Sequence, residues 1–459
     1  MSDIIRFSDV KLKMKEMLVP SLLVSFAYLA QSLIVTTDVL IISWLGVEEL
    51  AASGFVIRLY MPFFLLALGF SLPILSLCGQ AKGQEDYKKL RGIFQHSLAL
   101  NFSVSLLSVF LTKYLLNEYL FFIGQPENII KYANDYADFF LWSIPLAVWG
   151  SSIRSFMTVA GNAKYFMYLG FVAFVLNAVF DYIFVFGLDG FIEPMGISGA
   201  AVATIVVNVI YLLSLVYLLI NNESFKEYKV LTELEKVKLK LIKKISFVGF
   251  PMSIRMIIES GLMVYYYTLM AGFGTFYLAG FQVSYQVDTM AFLFAIGTAT
   301  AILTNVGIAK GRRNVNEILL STYAGTFLMT LFLSGIGLFF LVFTPIVADL
   351  FFSSNDDYEI LKPILINMLI IVSSYQFFHS LYFSILSAID GMGKTKTSSI
   401  LFITTLLIVG VGGAYVLKQT PLGGYGILIS LFLSYIASFF VLLPLFIKYI
   451  KEYRIKYDG

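Results

Sequence analysis

Residues 31–46 read QSLIVTTDVLIISWLG, an apolar stretch that holds a single carboxylate, Asp38. Apolar runs of about 18 residues or more, each long enough to cross a bilayer as a helix, recur along the chain. The 459 residues are 59% hydrophobic and 13% charged, and the mean hydropathy is +0.84. Lipid cannot satisfy free backbone polar groups, and continuous apolar runs favour helices over a barrel. The sequence therefore predicts an all-α polytopic membrane protein.

Twelve transmembrane helices are predicted, and they repeat in two halves. The spans cover 17–45, 50–80, 93–113, 133–159, 165–187, 197–220, 246–273, 277–308, 319–343, 362–389, 397–417 and 425–447. GQAKG at 79–83 aligns with GIAKG at 307–311, and GNAK at 161–164 aligns with GMGK at 391–394. Six spans is an even number, so both halves run in the same direction as parallel repeats. We expect two six-helix bundles, at 1–220 and 246–459, joined by a cytoplasmic linker at 221–245.

Most basic residues lie on one predicted side of the membrane. Of the 32 Lys and Arg, 25 lie in the two termini and in loops 81–92, 160–164, 221–245, 309–318 and 390–396. The positive-inside bias places both termini in the cytoplasm. Residues 1–16 are charged and lack a signal-peptide pattern, so we expect a cytoplasmic helix lying against the membrane. No basic patch suits nucleic acid, and the one cysteine, Cys78, excludes an internal disulfide.

Several motifs carry a resemblance to a known family. They are TTDVLIISWLG (36–46) after Pro20, GQAKGQ (79–84), GNAK (161–164), NAVFDYIFVFG (177–187) and MGISGAAVAT (195–204). In combination, the chain resembles the multidrug and toxic compound extrusion (MATE) antiporters over nearly its full length, with some NorM-type features. The resemblance implies a transporter in a bacterial inner membrane that exports organic, often cationic, compounds in exchange for H⁺ or Na⁺. It implies no enzyme activity and no cofactor, and we expect a monomer.

Carboxylates inside the first half are the main candidate site. A charge at the centre of a membrane helix costs roughly 2.5–3.5 kcal/mol and usually marks a pathway or relay. The helical rise places Asp38 and Asp181 both about 10 Å below the outer surface. Asn177 shares a helix face with Asp181, and Gln31 with Asp38. The resemblance implies that these four residues and Thr204 bind H⁺, or Na⁺ at Asp38 and Asp181.

The second half has a different set of polar residues. Glu259 matches a glutamate of NorM-type proteins, and His379 stands where those proteins carry an aspartate. A Glu–His pair can exchange protons, because histidine titrates near neutral pH. Asp288 and Arg255 are further intramembrane charges, and Gln282 matches a family position that lines the cleft. The alternative is structural: Arg255 neutralises Glu259 or Asp288, and His379 is a buried core residue.

Alternatives to antiport require different features of the sequence. A static ion pair between Asp38 and Arg58, which lie at nearly the same depth, would leave Asp38 with no coupling role. A flippase for lipid-linked sugars or polyprenyl phosphates needs a cationic cleft, and only Arg58, Arg154 and Arg255 lie inside spans. An enzyme is disfavoured, since the sequence has no His-Glu-x-x-His, no nucleotide-binding glycine motif and no cysteine pair.

Overall fold

The computed structural model describes residues 6–346, 349 and 358–458. The helices are α1 Phe7–Ser43, α2 Val47–Gly69, α3 Gly79–Gly83, α4 Tyr87–Phe122, α5 Glu127–Phe140, α6 Ser143–Ala160, α7 Lys164–Phe186, α8 Ile197–Asn221, α9 Glu223–Lys226, α10 Leu239–Ala271, α11 Thr275–Gly311, α12 Val315–Val342, α13 Tyr358–Gly391, α14 Thr395–Thr405, α15 Gly413–Leu417 and α16 Gly424–Asp458. Two π-helical stretches are present: Ile74–Cys78 follows α2 after a turn at 70–72 and leads into α3, and Leu406–Gly412 joins α14 to α15.

The predicted all-α fold class is confirmed. Eleven helical segments of the described chain are long and apolar enough to cross a membrane. The remaining predicted span, 133–159, is instead divided between α5 and α6, which a turn at Leu141 and Trp142 separates. No strand forms within the described residues, where one isolated bridge joins Leu188 and Ile192. A bilayer favours this helical structure, because a helix satisfies the hydrogen-bonding groups of its own backbone.

The first helix is longer than expected. α1 runs without a break from Phe7 to Ser43 and contains Pro20. The helix expected at 1–16 is present from residue 7, but it is continuous with the first span and forms the first turns of α1. Residues 1–5 lie outside the described part of the chain.

Packing divides the chain into two compact units. The N-terminal unit comprises Phe26–Ile257, and the C-terminal unit comprises Met1–Ser25 and Ile258–Gly459. The predicted boundaries differ from these, because packing assigns the first part of α1 to the C-terminal unit and residues 221–257 to the N-terminal unit. Each unit has its own apolar core, which includes Tyr136 and Ile144 in the N-terminal unit and Tyr375 and Leu386 in the C-terminal unit.

The repeated lysine motifs have the same structural role in both units. In the N-terminal unit Lys82 Nζ donates to the carbonyl oxygens of Val159 at 2.7 Å and Ala160 at 3.2 Å, where α6 ends. In the C-terminal unit Lys310 Nζ donates to the carbonyl oxygen of Met392, one residue beyond the end of α13. A lysine at a helix C-terminus satisfies free carbonyls and complements the helix dipole. The pairing explains why the Lys motif recurs together with GNAK and GMGK.

The segment between the two halves is bound to α4. Arg91 forms ion pairs with Glu233 at 2.7 Å and Glu235 at 2.9 Å. Gln95 Nε2 donates to the carbonyl oxygens of Val230 at 2.8 Å and Glu233 at 2.7 Å. His96 Nε2 accepts a hydrogen bond from the Lys238 amide at 2.9 Å. The predicted linker is therefore an anchored segment of the N-terminal unit.

Candidate functional site

Four of the predicted site residues meet inside the N-terminal unit. Asp38 lies on α1, Asn177 and Asp181 lie one turn apart on α7, and Thr204 lies on α8. All four are buried, with Asp38 5% exposed and both Asn177 and Asp181 0% exposed. The i, i+4 spacing on α7 presents its two polar side chains on one face. Packing of α1, α7 and α8 then joins residues that are far apart in sequence.

Asn177 links the two carboxylates. Its Nδ2 donates to Asp38 Oδ1 at 2.5 Å and to Asp181 Oδ2 at 2.6 Å. Thr204 Oγ1 lies 3.2 Å from Asp38 Oδ2 and 3.0 Å from the carbonyl oxygen of Ala200. Because a hydroxyl carries one proton, Thr204 donates to only one of these oxygens at a time. Asp38 thus accepts two side-chain hydrogen bonds when the threonine turns toward it.

No arginine or lysine neutralises this pair in the described structure. Arg58 is exposed on α2 and makes no recorded ion pair with Asp38. The static Asp38–Arg58 pair is therefore wrong, because Asp38 is buried whereas Arg58 is exposed. Two adjacent buried carboxylates without a counter-charge are unfavourable when both are ionised. The arrangement is suited to holding a proton or a metal cation.

The site opens on a cavity of about 170 Å³ within the N-terminal unit. Its polar lining includes Asp38, Asn177 and Thr204, together with Gln31, Ser143 and Asn208. The apolar walls consist mostly of aromatic and long side chains, including Tyr60, Met61, Phe64, Tyr136 and Phe140. A largely apolar cavity with a few convergent polar groups is the usual form of a small-molecule site.

Gln31 is the exception among the predicted network. It lines the same cavity, but its Oε1 accepts a hydrogen bond from Arg154 Nη1 at 3.2 Å. Gln31 and Asp38 are seven residues apart, about 10 Å along α1. Gln31 therefore lines the cavity because it shares a helix face with Asp38. The described structure shows no hydrogen bond between the Gln31 and Asp38 side chains. The sequence had no signal for the partner, because Arg154 lies on another helix.

The C-terminal unit brings Asp288 and His379 together. Asp288 Oδ1 accepts a hydrogen bond from Gln376 Nε2 at 2.9 Å and lies 3.8 Å from His379 Nδ1. His379 stacks on Tyr435, with 4.7 Å between ring centroids. The sequence interpretation missed Gln376, although it stands three residues before His379 and so on the same face of α13. The arrangement places a titratable histidine next to a buried carboxylate.

The other candidates from the second half of the sequence lie apart from Asp288 and His379. Arg255 and Glu259 are one turn apart on α10, where Arg255 is buried and Glu259 is partly buried. Gln282 is exposed on α11 and accepts a hydrogen bond from the Tyr267 hydroxyl. Tyr266, which aligns with Asp38 in the repeat, is buried and hydrogen-bonds Ser430 at 3.1 Å. The second half therefore lacks a copy of the first site.

The chain is similar to known proteins across most of its length. The MatE family profile matches residues 24–183 and 251–416. A protein from Synechocystis sp., named probable multidrug resistance protein NorM, is 24% identical over 445 residues, which is 95% of each chain. A protein of the same name from Agrobacterium fabrum is 26% identical over 295 residues. That match spans 64% of this chain and 63% of the relative, less than two thirds of its length.

Solved structures share the fold. A MATE protein crystallised in a bent conformation superposes with a TM-score of 0.87 at 22% identity, covering 99% of this chain and 100% of the other. A multidrug resistance MATE family transporter of the MOP superfamily, crystallised facing outward, gives a TM-score of 0.85 at 23% identity. It covers 98% of this chain and 100% of that one.

These similarities bear out the twelve-helix architecture that the repeat predicts. They also bear out a transporter rather than an enzyme. The family profile covers both repeats and well over half of the residues, including Asp38 and Asp181. The chain therefore belongs to the MatE family, that of the MATE membrane transporters.

Proposed function

We propose that this protein is a secondary active multidrug antiporter, which exports organic compounds in exchange for H⁺. The observation that carries the proposal is the buried Asp38–Asn177–Asp181 chain of hydrogen bonds, at 2.5 Å and 2.6 Å, with no recorded cationic partner among the described residues. Intramembrane carboxylates of this kind commonly mark proton relays. The bacterial relatives named NorM support a multi-pass protein of a bacterial inner membrane and multidrug efflux.

The hydrogen-bond geometry accommodates both protonation states of Asp38. With a proton on Oδ2, the carboxyl group donates to Thr204 Oγ1, and the threonine hydroxyl donates to the Ala200 carbonyl oxygen. Without it, the hydroxyl turns and donates to Asp38 Oδ2. Loading a proton therefore reverses the direction of the hydrogen bond between Thr204 and Asp38 and frees the threonine hydroxyl to donate to Ala200 on its own helix, α8. We propose that this change transmits the protonation state of Asp38 from α1 to α8.

A Na⁺ ion is the alternative occupant. Hard cations take oxygen ligands, and Asp38 and Asp181 provide carboxylate oxygens. The side-chain oxygens Asn177 Oδ1 and Asp181 Oδ1 are buried and have no hydrogen-bond partner in the described structure. They are the atoms that would complete a Na⁺ shell. Imposed gradients of each ion distinguish the two couplings.

The driving force is sufficient for concentrative export. For an uncharged substrate, one proton that moves down about 100 mV releases about 2.3 kcal/mol, which corresponds to roughly a 50-fold concentration ratio. One-for-one exchange with a monovalent organic cation moves no net charge, so the pH gradient alone then supplies the driving force. The aromatic walls of the cavity, such as Tyr60 and Tyr136, suit flat organic cations through cation–π contacts. The positive-inside bias supports cytoplasmic termini and thus export from the cytoplasm. We expect the transporting unit to be a monomer.

Transport in proteoliposomes tests the proposal. Ethidium, a flat organic cation, serves as the probe, and a pH gradient or a Na⁺ gradient is imposed in turn. We expect the pH gradient to drive ethidium movement and Asp38→Asn to abolish it. Asp189→Asn is the matched control, because Asp189 is exposed in the α7–α8 loop. Full transport by correctly inserted Asp38→Asn would refute the coupling role, and movement driven by Na⁺ alone would replace H⁺ as the coupling ion.

A further inference from the structure

A run of lysines lies on the N-terminal unit, where the segment after α9 enters α10. We define the basic strip as residues 234–244, which read LEKVKLKLIKK. All of its lysines are exposed: Lys236, Lys238, Lys240, Lys243 and Lys244. Three apolar side chains stand among them and are also exposed, Leu234 by 89%, Val237 by 78% and Leu239 by 71%. Exposed apolar side chains among lysines are typical of elements that lie in a membrane interface.

The acidic residue of the basic strip is paired with α4. Glu235 Oε1 accepts hydrogen bonds from Arg91 Nε at 3.0 Å and Nη2 at 2.9 Å, and its side chain is 8% exposed. Glu233, just before the strip, also pairs with Arg91, at 2.7 Å. In the described part of the chain, no carboxylate forms an ion pair with a lysine of the basic strip. Lys244 is instead close enough to Lys89 on α4 for their charges to repel. The basic strip therefore presents positive charge that a bound anion can neutralise.

The basic strip is held in a fixed position on α4. The Lys238 amide donates to His96 Nε2 at 2.9 Å. Leu241 packs against Gly92, where an added Cβ would lie 3.5 Å from Leu241 Cδ2. A surface that is already ordered loses little conformational entropy when a ligand binds. The lysines are therefore preorganised, although each side chain is exposed.

The end of the basic strip lies at the depth of the lipid headgroups. Lys240, Lys243 and Lys244 have the i, i+3, i+4 spacing that places side chains on one face, here in the first turns of α10. The predicted span begins at residue 246, so the helical rise places them roughly 3–9 Å outside the hydrocarbon core. The headgroup layer occupies roughly 5–8 Å on each side of that core. The ammonium groups therefore lie level with the lipid phosphates.

We propose that the basic strip binds the phosphate groups of anionic phospholipids. The exposed lysines complement the negative charge, and Leu234, Val237 and Leu239 contact the boundary between headgroups and acyl chains. A lipid surface accounts for both the charge and the exposed apolar side chains, whereas a soluble acidic partner accounts for the charge alone. The proposal does not depend on the coupling ion or on the exported substrate.

Native mass spectrometry of the full chain in detergent tests the proposal. Phosphatidylglycerol and phosphatidylcholine with identical acyl chains are titrated separately. A lysine near an anionic surface contributes roughly fivefold in affinity, so two lysines on one phosphate should favour phosphatidylglycerol by about 25-fold. The triple variant Lys240→Gln, Lys243→Gln, Lys244→Gln should bind phosphatidylglycerol at least about 10-fold more weakly. Its affinity for phosphatidylcholine and its Tm should stay unchanged, because all three side chains are exposed.

A second triple variant is the matched control. Lys448→Gln, Lys451→Gln, Lys456→Gln removes the same charge from exposed positions near the end of α16 and should keep the preference for phosphatidylglycerol. Equal binding of the two lipids by the wild-type chain would overturn the proposal. A preference that survives in the strip variant, or that falls as far in the control, would overturn it as well.

The basic strip could instead take a soluble acidic chain, and polyglutamate distinguishes that occupant. Its binding is measured to the full chain in nanodiscs of phosphatidylcholine, with and without phosphatidylglycerol. The strip-dependent part is the difference between the wild type and the strip variant. We expect this difference to vanish when phosphatidylglycerol is present, because the lipid then covers the lysines. If it persists undiminished, the lysines remain open to soluble partners and the lipid proposal is overturned.

Discussion

Gly199 is the position where one added methyl group should disturb the site most. It is buried in the first turn of α8 and packs against the last turn of α7. A Cβ at this position would lie 2.5 Å from the carbonyl carbon of Phe184 and 2.8 Å from the Val185 nitrogen. Ordinary contacts begin near 3.4 Å. The opposing atoms belong to the main chain, so no side-chain rotation can relieve the overlap.

Relief requires the start of α8 to move by somewhat under about 1 Å, and overpacking of this kind costs about 1–3 kcal/mol. The movement also stretches two main-chain hydrogen bonds that end α7: Met195 N to Phe184 O at 3.0 Å and Gly196 N to Val185 O at 3.2 Å. Each such bond contributes about 0.5–1.5 kcal/mol. Against this, Ala improves helix propensity by up to about 1 kcal/mol. We expect Gly199→Ala to lower the free energy of unfolding by about 2–3 kcal/mol.

Thermal unfolding of the purified chain in detergent measures this effect. A change of 1 kcal/mol corresponds to roughly 2–4 °C for a unit of this size, so Gly199→Ala should lower Tm by about 4–12 °C. Gly54→Ala is the matched control, because a Cβ on Gly54 in α2 meets nothing within 4 Å. It should leave Tm unchanged or raise it slightly. If the Tm of both variants equals or exceeds the wild-type Tm, the close contact between α7 and α8 does not limit stability and the reasoning fails.

Two further predictions concern Lys82, which binds the end of α6, and Glu233, which lies in the segment between α9 and α10. Lys82→Met leaves the carbonyl oxygens at the end of α6 without their donor and should lower stability by about 1–3 kcal/mol in the same assay. Exposed Lys88→Met should change it by less than about 0.5 kcal/mol, and equal effects would contradict a capping role. The hydrogen bond from Lys229, together with the charge of Arg91, lowers the pKa of Glu233 from its usual value of 4.5. A lowered pKa stabilises the fold above pH 4.5, and this contribution disappears as the pH falls through the lowered value. Tm should therefore fall further on acidification in the wild type than in Glu233→Gln, and parallel curves for the two would contradict this.

Much of the fold could be read from residue type and order. Length and hydropathy predict the spans because a bilayer demands helices of a set length. The repeated lysine motifs indicate the duplication. Lys82 and Lys310 donate to carbonyl oxygens at the C-terminal ends of equivalent helices, α6 and α13. The predicted span at 133–159 missed the turn at Leu141 and Trp142, since neither residue is a helix breaker. Hydropathy averages over such a turn and cannot detect it.

The sequence by itself determined which carboxylates lie within the bilayer and that Asn177 shares a face with Asp181, because depth and helical period are local properties. Tertiary structure alone decided which groups meet. It joined Asp38 to α7 and Asp288 to Gln376, it left Arg58 exposed, and it placed Arg154 in the lining of a cavity. The physical reason is that the rotation of a membrane helix about its own axis is set by packing against its neighbours, and apolar surface on nearly every side leaves that rotation unspecified.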